Sequence, residues 1–426
     1  MHNDFLDSVK GRLFAYRKRK KRVFEFRWSE KLQSKSSASL QVNACFQNEL
    51  LKAMARSGHK GPFTGRLAVE LFFRAGSRNS PEVHSLVKHY LDLLQEPVRG
   101  ISLLRGRTRI LLRDDAQIEF LSCSYETRMG DGLRLRARRL SDFFEDLELY
   151  HDVTTGNLGQ QDMFSENEEQ RERRSAISDY DRHLAGKESF VAHFGRTTFD
   201  KWELMLRRDA QEAALTSRRL EPRTITALLR PRYHHLRDDP GMSSVLQSTS
   251  RMILAVYEHP LVSMDFGPRA VEKGQSKEFK ERVRRSLLDA KERLPLLYPL
   301  LVPCRVTALY LAPRRASKID LDNLMRKAII PAVHEILQPP APPADFLLNL
   351  DTPRKNPRLA QVLERYKRAP KFHITGYQIC CLPRAKADPE NGNVRLILHS
   401  GSARDTTWQS LDSALTEWEE SDPRDS

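Results

Sequence analysis

The sequence predicts a mixed α/β protein built from two similar domains and a helical connector. Strand-like and helix-like segments alternate in the order β-α-β-α-β-β, and that order occurs twice in the 426 residues. Between the two runs the pattern shifts to densely mixed charge with a helical period. The length is enough for two or three cores. The expected boundaries are a basic N-terminal arm over 1–21, a first domain over 22–150, a connector over 151–245, a second domain over 246–400 and an acidic tail over 401–426. The two domains are expected to pack as an intramolecular pseudo-dimer.

The first run opens with RVFEFRW (Arg22 to Trp28), which alternates as a strand does. Val42, Phe46, Leu50 and Met54 then recur at helical spacing, and Gly58 offers a stop. RLAVELFFRA (Arg66 to Ala75) is strand-like. Val83, Leu86, Val87, Tyr90, Leu91 and Leu94 form an apolar helical stripe closed by Pro97. AQIEFLSCSYETR and LRLRARRL flank a Gly-Asp-Gly, which predicts a hairpin. In the second run, RMILAVYEHPL from Arg251 is strand-like, and Phe279, Val283, Leu287 and Leu294 mark a helix. CRVTALYLAP reads as a strand. The helix after it carries Leu324, Ile329, Val333 and Leu337 near one face, with Pro331 bending it. ITGYQICCLP and NVRLILHS form a last strand pair. A proline-rich insertion after Leu337 reads as a stiff loop before a short helix. The connector starts with a composition typical of disorder and continues as a helix, and the tail reads as a helix and then disorder.

The formal net charge of +15 favours a polyanionic partner, nucleic acid or an acidic membrane surface, over a merely basic soluble protein. No apolar run approaches the ~20 residues that a spanning helix needs, and the start lacks the apolar region of a secretory signal. Its RKRKKR run (Arg17, Lys18, Arg19, Lys20, Lys21, Arg22) is expected to be a phosphate-binding arm. Five cysteines without a CxxC pattern predict buried thiols in a reducing cytoplasm rather than disulfides or zinc. Cys380 and Cys381, adjacent on a strand, would face opposite ways.

The segment SKIDLDNLMRKAIIPAVHEIL (Ser317 to Leu337) carries the most chemistry. Asp320 and Asp322 straddle a helix start, where free N–H groups and the dipole favour negative charge. Capping accounts for one aspartate. It gives no reason for Arg314, Arg315, Lys318, Asn323 and Arg326 to crowd the pair. Two carboxylates at a strand-to-helix corner suit magnesium, which completes its shell with water and phosphate oxygens, while the cations hold the backbone of a nucleic acid.

A strand, a basic loop, DLDNL and a helix, followed by two more strands, resemble the RusA-type Holliday-junction resolvases. The resemblance covers roughly 22–140 and 250–400. It implies a magnesium-dependent endonuclease that acts as a dimer and nicks four-way DNA junctions. The family motif is Asp-x-Asp-Asn-Leu with a lysine four residues after the second Asp, plus a further Asp in an Asp-Asp-x-Gln-like segment before the third strand. Asp320, Asp322 and Asn323 match it, whereas the lysine position holds Arg326, with Lys327 beside it. The later aspartate is absent, because APKFH precedes ITGYQICCLP; Asp345 or Asp351 is the candidate substitute. The first run shows the converse. Glu82, His84 and Ser85 stand where Asp, Asp and Asn would, while Lys88, Asp114, Asp115 and Gln117 fit.

Two arrangements follow: a fused pseudo-dimer in which only the second half cuts, which we prefer, or one composite site pooled across the halves. The resemblance implies Asp320 and Asp322 as magnesium ligands, Asn323 orienting them, Arg326 or Lys327 on the scissile phosphate, and branched DNA as substrate. Cytoplasmic, nucleoid-associated localisation and no membrane partner go with it. Two rivals remain: a non-catalytic junction-binding or DNA-binding protein of the same descent, and a DNA-binding subunit of a larger assembly. Further partners left open are a second copy of the chain and recombination or repair proteins.

Overall fold

The structure is a computed structural model. It describes residues 8–76, 81–103, 106–127, 130–156, 174–215, 263–268, 276–314, 321–337, 374–382, 384, 390–401 and 406–421. Eight strands form one mixed sheet: β1 (Phe24–Trp28), β2 (Leu67–Ala75), β3 (Ile118–Thr127), β4 (Gly132–Arg139), β5 (Ser263–Asp265), β6 (Cys304–Leu311), β7 (Ile374–Leu382) and β8 (Asn393–Ser400). Their order is β1-β4-β2-β3-β7-β6-β8-β5. Read from its centre, the sheet repeats itself. β2 and β3 are parallel, as are β6 and β7, and every other neighbouring pair is antiparallel, including the β3–β7 pair at the seam. Even the irregularities correspond: the register slips between Leu67 and Ala68 in β2 and between Cys304 and Arg305 in β6.

This order corrects the two expected strand pairs. β3 and β4 flank the Gly-Asp-Gly turn but do not pair, because β2 lies between them; β6 likewise separates β7 from β8. A hairpin turn chemistry constrains only the turn. Here each third strand gives one edge to its parallel partner and the other to the opposite half. The second half's edge strand also differs. It is the short β5, and residues 251–262, where the strand was expected, lie outside the described residues.

Helices α2 (Leu40–Arg56) and α3 (Val83–Gln95) cover one face of the first half, and α7 (Ser276–Arg293), α8 (Leu321–Leu324) and α9 (Ile330–Leu337) cover the same face of the second. Alternation of the strands sends Val69, Leu71, Phe73, Leu121, Tyr377 and Ile379 to this side, where all are buried. Phe46 stacks edge-on to Phe26, Trp28 and Tyr90. Ser39 caps α2, accepting from the Val42 N–H at 3.2 Å. Between α8 and α9 the helix widens into a π turn, Met325–Ile329. Pro331 follows after Ile330; it has no N–H to give the preceding turn, so the distortion falls where the sequence predicts a bend.

The opposite face is covered by α1 (Val9–Lys20), α4 (Leu140–Gly156), α6 (Arg196–Leu215) and α10 (Thr407–Glu420), with α5 (Lys187–Phe194) packed on α6. α4 has no counterpart in the expected β-α-β-α-β-β order, although Leu140, Phe143, Phe144 and Leu147 recur along it at helical spacing and are buried. The tail forms the helix that the sequence predicts, but as a core element rather than an appendage, since Trp408, Leu411 and Leu415 are wholly buried; each such leucine contributes about 1.5–3 kcal/mol. The expected basic arm is a helix docked on α4 and α10. Residues 157–173 and 216–250 of the connector lie outside the described residues.

This face is also polar. Glu70 is fully buried and accepts from Arg136 Nε at 2.7 Å and from the Thr406 hydroxyl at 2.8 Å, and Arg136 reaches on to Asp412. Arg138 and Arg19 converge on Asp146, each at 2.6 Å. Trp408 lies under both Arg136 and Arg138. The described cysteines are all free; Cys123, Cys304 and Cys380 are buried as expected, whereas Cys381 is half-buried and Cys45 on α2 is exposed, which corrects the expectation for those two. No described helix is long and apolar enough to cross a membrane.

Candidate functional site at the seam of the sheet

The starts of α3 and α8 both lie over the seam, on the apolar side of β3 and β7. Strand β6 delivers the chain to a loop in which Arg314 is anchored by backbone and side chain to Glu390. Arg315, Lys318 and Asp320 lie outside the described residues, as do Asp345 and Asp351. Asp322 is the second residue of α8 and is 2 % exposed. The Tyr377 hydroxyl donates to its Oδ1 at 3.4 Å, and the Arg326 Nε lies 3.8 Å from its Oδ2. Arg326 also donates to Asn323 Oδ1 at 2.8 Å. Lys327, next in sequence, is exposed.

Tyr377 joins this group to the first half. It pairs in register with Cys123 of β3, and the thiol and hydroxyl are hydrogen-bonded. Burial pushes the Tyr377 hydroxyl well above its ordinary pKa, and the nearby Cys123 and Asp322 push the same way, so it remains a donor. From the first half, the His84 Nε2 sits 3.1 Å from Glu82 Oε2, and its ring centroid lies 6.5 Å from that of His334 on α9. Burial lowers the His84 pKa; Glu82 opposes this, while the Arg326 charge adds to it. The imidazole is therefore neutral at pH 7. The structure thus brings Glu82 and His84 of one half beside Asp322, Asn323 and Arg326 of the other.

The remaining first-half residues are held separately. Lys88 lies between Asp92 Oδ1 at 3.0 Å and Asp115 Oδ2 at 3.2 Å. Asp114 accepts from the Ala116 N–H at 3.0 Å in a capping box with Gln117, whose side chain also donates to the Phe63 and Gly65 carbonyls. The Asp-Asp-x-Gln segment therefore builds a turn. Beside it, Lys35, Asn43, Lys88, Asp92 and Asp115 line a cleft of about 440 Å³.

The basic run is placed as follows. Arg17 and Lys20 both bind Glu419, at 2.8 and 2.9 Å; Arg19 is buried against Asp146 and Glu145; Arg22 lies 3.2 Å from Asp142. Only Lys18 and Lys21 of the six make no ion pair among the described residues. This corrects the expected free arm: the acidic residues of α4 and α10, distant in sequence, neutralise it.

Magnesium fits the described residues poorly. It needs carboxylates open to water and phosphate oxygens. Asp322 is buried with a guanidinium beside it, Asp115 holds an ammonium, and Asp114 caps a turn. No group of three potential ligands occurs among the described residues. Tyr377 and Cys123 went unnoticed in the sequence. The available signal was a tyrosine on a core-facing position of a central strand, whose hydroxyl requires a buried partner. No family model matches the sequence, and no curated protein or solved structure matches it either.

Proposed function

We propose that this chain is a nucleic-acid-binding protein built as a RusA-like intramolecular pseudo-dimer that binds branched DNA without cutting it. The observation that carries this reading is the engagement of the described carboxylates at the motif positions. Asp322, Asp114 and Asp115 each have a protein partner where a metal-dependent nuclease would keep them open. The palindromic sheet supports the pseudo-dimer, since the seam does within one chain what a two-fold interface does between two. The net charge of +15 supports a polyanion as partner.

The test is a labelled four-way junction beside linear duplex and single strand, incubated with the protein in magnesium and in EDTA. Wild type and an Asp320→Asn, Asp322→Asn double variant are compared. The expected result is junction binding in both, with no cleavage in either metal condition. Magnesium-dependent cuts near the branch point that vanish in the double variant would overturn the non-catalytic reading in favour of a nuclease. Absence of binding to all three DNAs would remove the function altogether.

A further inference from the structure

Among the described residues, docking of the basic helix leaves one of its faces uncovered. Arg12, Arg19 and Arg22 turn to the acids of α4, and Arg17 and Lys20 turn to Glu419 of α10. On the outer side, Lys10, Phe14, Lys18 and Lys21 follow at spacings of four, four and three, which place them on one stripe. All four are exposed, Phe14 by 59 %. None of the three lysines makes an ion pair among the described residues. Eleven residues of helix set the end lysines about 16 Å apart, a distance over which a nucleic-acid strand presents several phosphates.

We propose that this stripe is a nucleic-acid contact: Lys10, Lys18 and Lys21 engage backbone phosphates, and Phe14 stacks on an unpaired base. Charge complementarity selects the partner, because the inner cations are already neutralised and, among the described residues, these lysines are the cations of the helix without an acidic partner. A membrane-seeking helix would present a broad apolar face; here Val9 and Phe14 are the large apolar side chains exposed on the helix. The aromatic ring among the lysines matches the way single strands are held, by a charged track plus stacking. The inference rests on the nucleic-acid-binding reading above and narrows it to a surface and a preference for unpaired bases.

The experiment measures affinity of the full chain for labelled duplex and single-stranded DNA across a salt series. Wild type is compared with a Lys10→Gln, Lys18→Gln, Lys21→Gln triple variant and with Phe14→Ala. Loss of three phosphate contacts should reduce the slope of log K against log salt on duplex by about 2.7. Phe14→Ala should weaken single-strand binding about tenfold and leave duplex binding unchanged. An unchanged slope in the triple variant, with wild type still binding, overturns the stripe but leaves the proposed function standing. Equal single-strand affinity in Phe14→Ala overturns the stacking contact. If wild type binds no DNA, both readings fall, and retention on anionic vesicles alone assigns the face to a lipid surface instead.

Discussion

Across β2 and β4 the residues Glu70 and Arg136 face each other; across β6 and β8 the corresponding register pair is Thr307 and Ile397. Two positions back along each strand, on the same face, Ala68 lies opposite Arg138, and Arg305 lies opposite His399. The two halves therefore share a backbone and disagree about where buried charge sits. In the first half it forms ion pairs, Glu70–Arg136–Asp412 and Arg138–Asp146–Arg19. In the second half hydrogen bonds of neutral groups dominate: Thr307 to His399 at 3.0 Å and Gln378 to Thr307 at 3.0 Å, with the buried Arg305 donating across the seam to Ser124. The difference follows α10. This helix leaves the second half and lays Thr406, Trp408 and Asp412 over the first, giving its charges partners that its own half cannot supply.

The comparison breaks most easily at Arg136. Replacing it with Met keeps the volume but leaves the fully buried Glu70 carboxylate without its guanidinium, a defect of about 3–5 kcal/mol. Urea unfolding should report that loss. A Glu70→Thr, Arg136→Ile double variant transplants the second half's pair and removes the two most buried charges together; Asp412, a third exposed and still near Arg138, keeps access to water and a cation, so the variant should recover most of the stability. If the double variant is as unstable as the single one, the two halves do not have interchangeable frameworks.

Much of the fold was legible because periodicity is local. The helices with clean apolar stripes, at 40–56 and 83–95, and the strands at 67–75 and 304–311 occur where the pattern predicts them. What the pattern could not convey was pairing. The strand order depends on contacts between residues such as Cys123 and Tyr377, more than 250 positions apart, and a Gly-Asp-Gly turn says nothing about which strand intrudes. The candidate site was legible as a list of residue types but not as a state. Asp115 and Asp114 look alike in sequence, yet one holds Lys88 and the other caps a turn. The basic run likewise looks free until α4 and α10 bring acids to it.

The seam itself can be probed at Gly376, which occupies the β7 position matching Phe120 in β3. A methyl group there would collide with the Cys123 carbonyl oxygen and lie 2.8 Å from the Arg305 guanidinium. Close approach of backbone, rather than turn geometry, requires the glycine. Gly376→Ala should cost about 1–3 kcal/mol through overpacking. Hydrogen exchange should show the loss concentrated in β3 and β7 rather than in the outer strands. Uniform loss of protection across the sheet would instead mean that the seam is no weaker than either half.

The mildest test separates the halves by pH. His399 is buried, and burial, reinforced by the Arg305 charge, pushes its pKa down to about 3. Its first-half counterpart by register, Arg138, stays charged throughout. A depressed histidine pKa means that the unfolded chain takes up a proton that the folded chain refuses. The stabilising contribution is therefore complete above about pH 6.5 and is lost as pH falls from there towards 3, at up to about 1.4 kcal/mol per pH unit. His59, His84 and His89 are shifted in the same direction by burial, so wild-type stability should decline with acid through several groups. His399→Gln keeps an amide within reach of Thr307 and should remove one proton's share of that decline while leaving stability at pH 7 within about 1 kcal/mol. Unfolding curves at intervals between pH 7 and pH 4.5 would show it as a shallower slope. An unaltered slope would mean that His399 is already protonated in the fold, and that the second half, like the first, keeps its buried charge ionised.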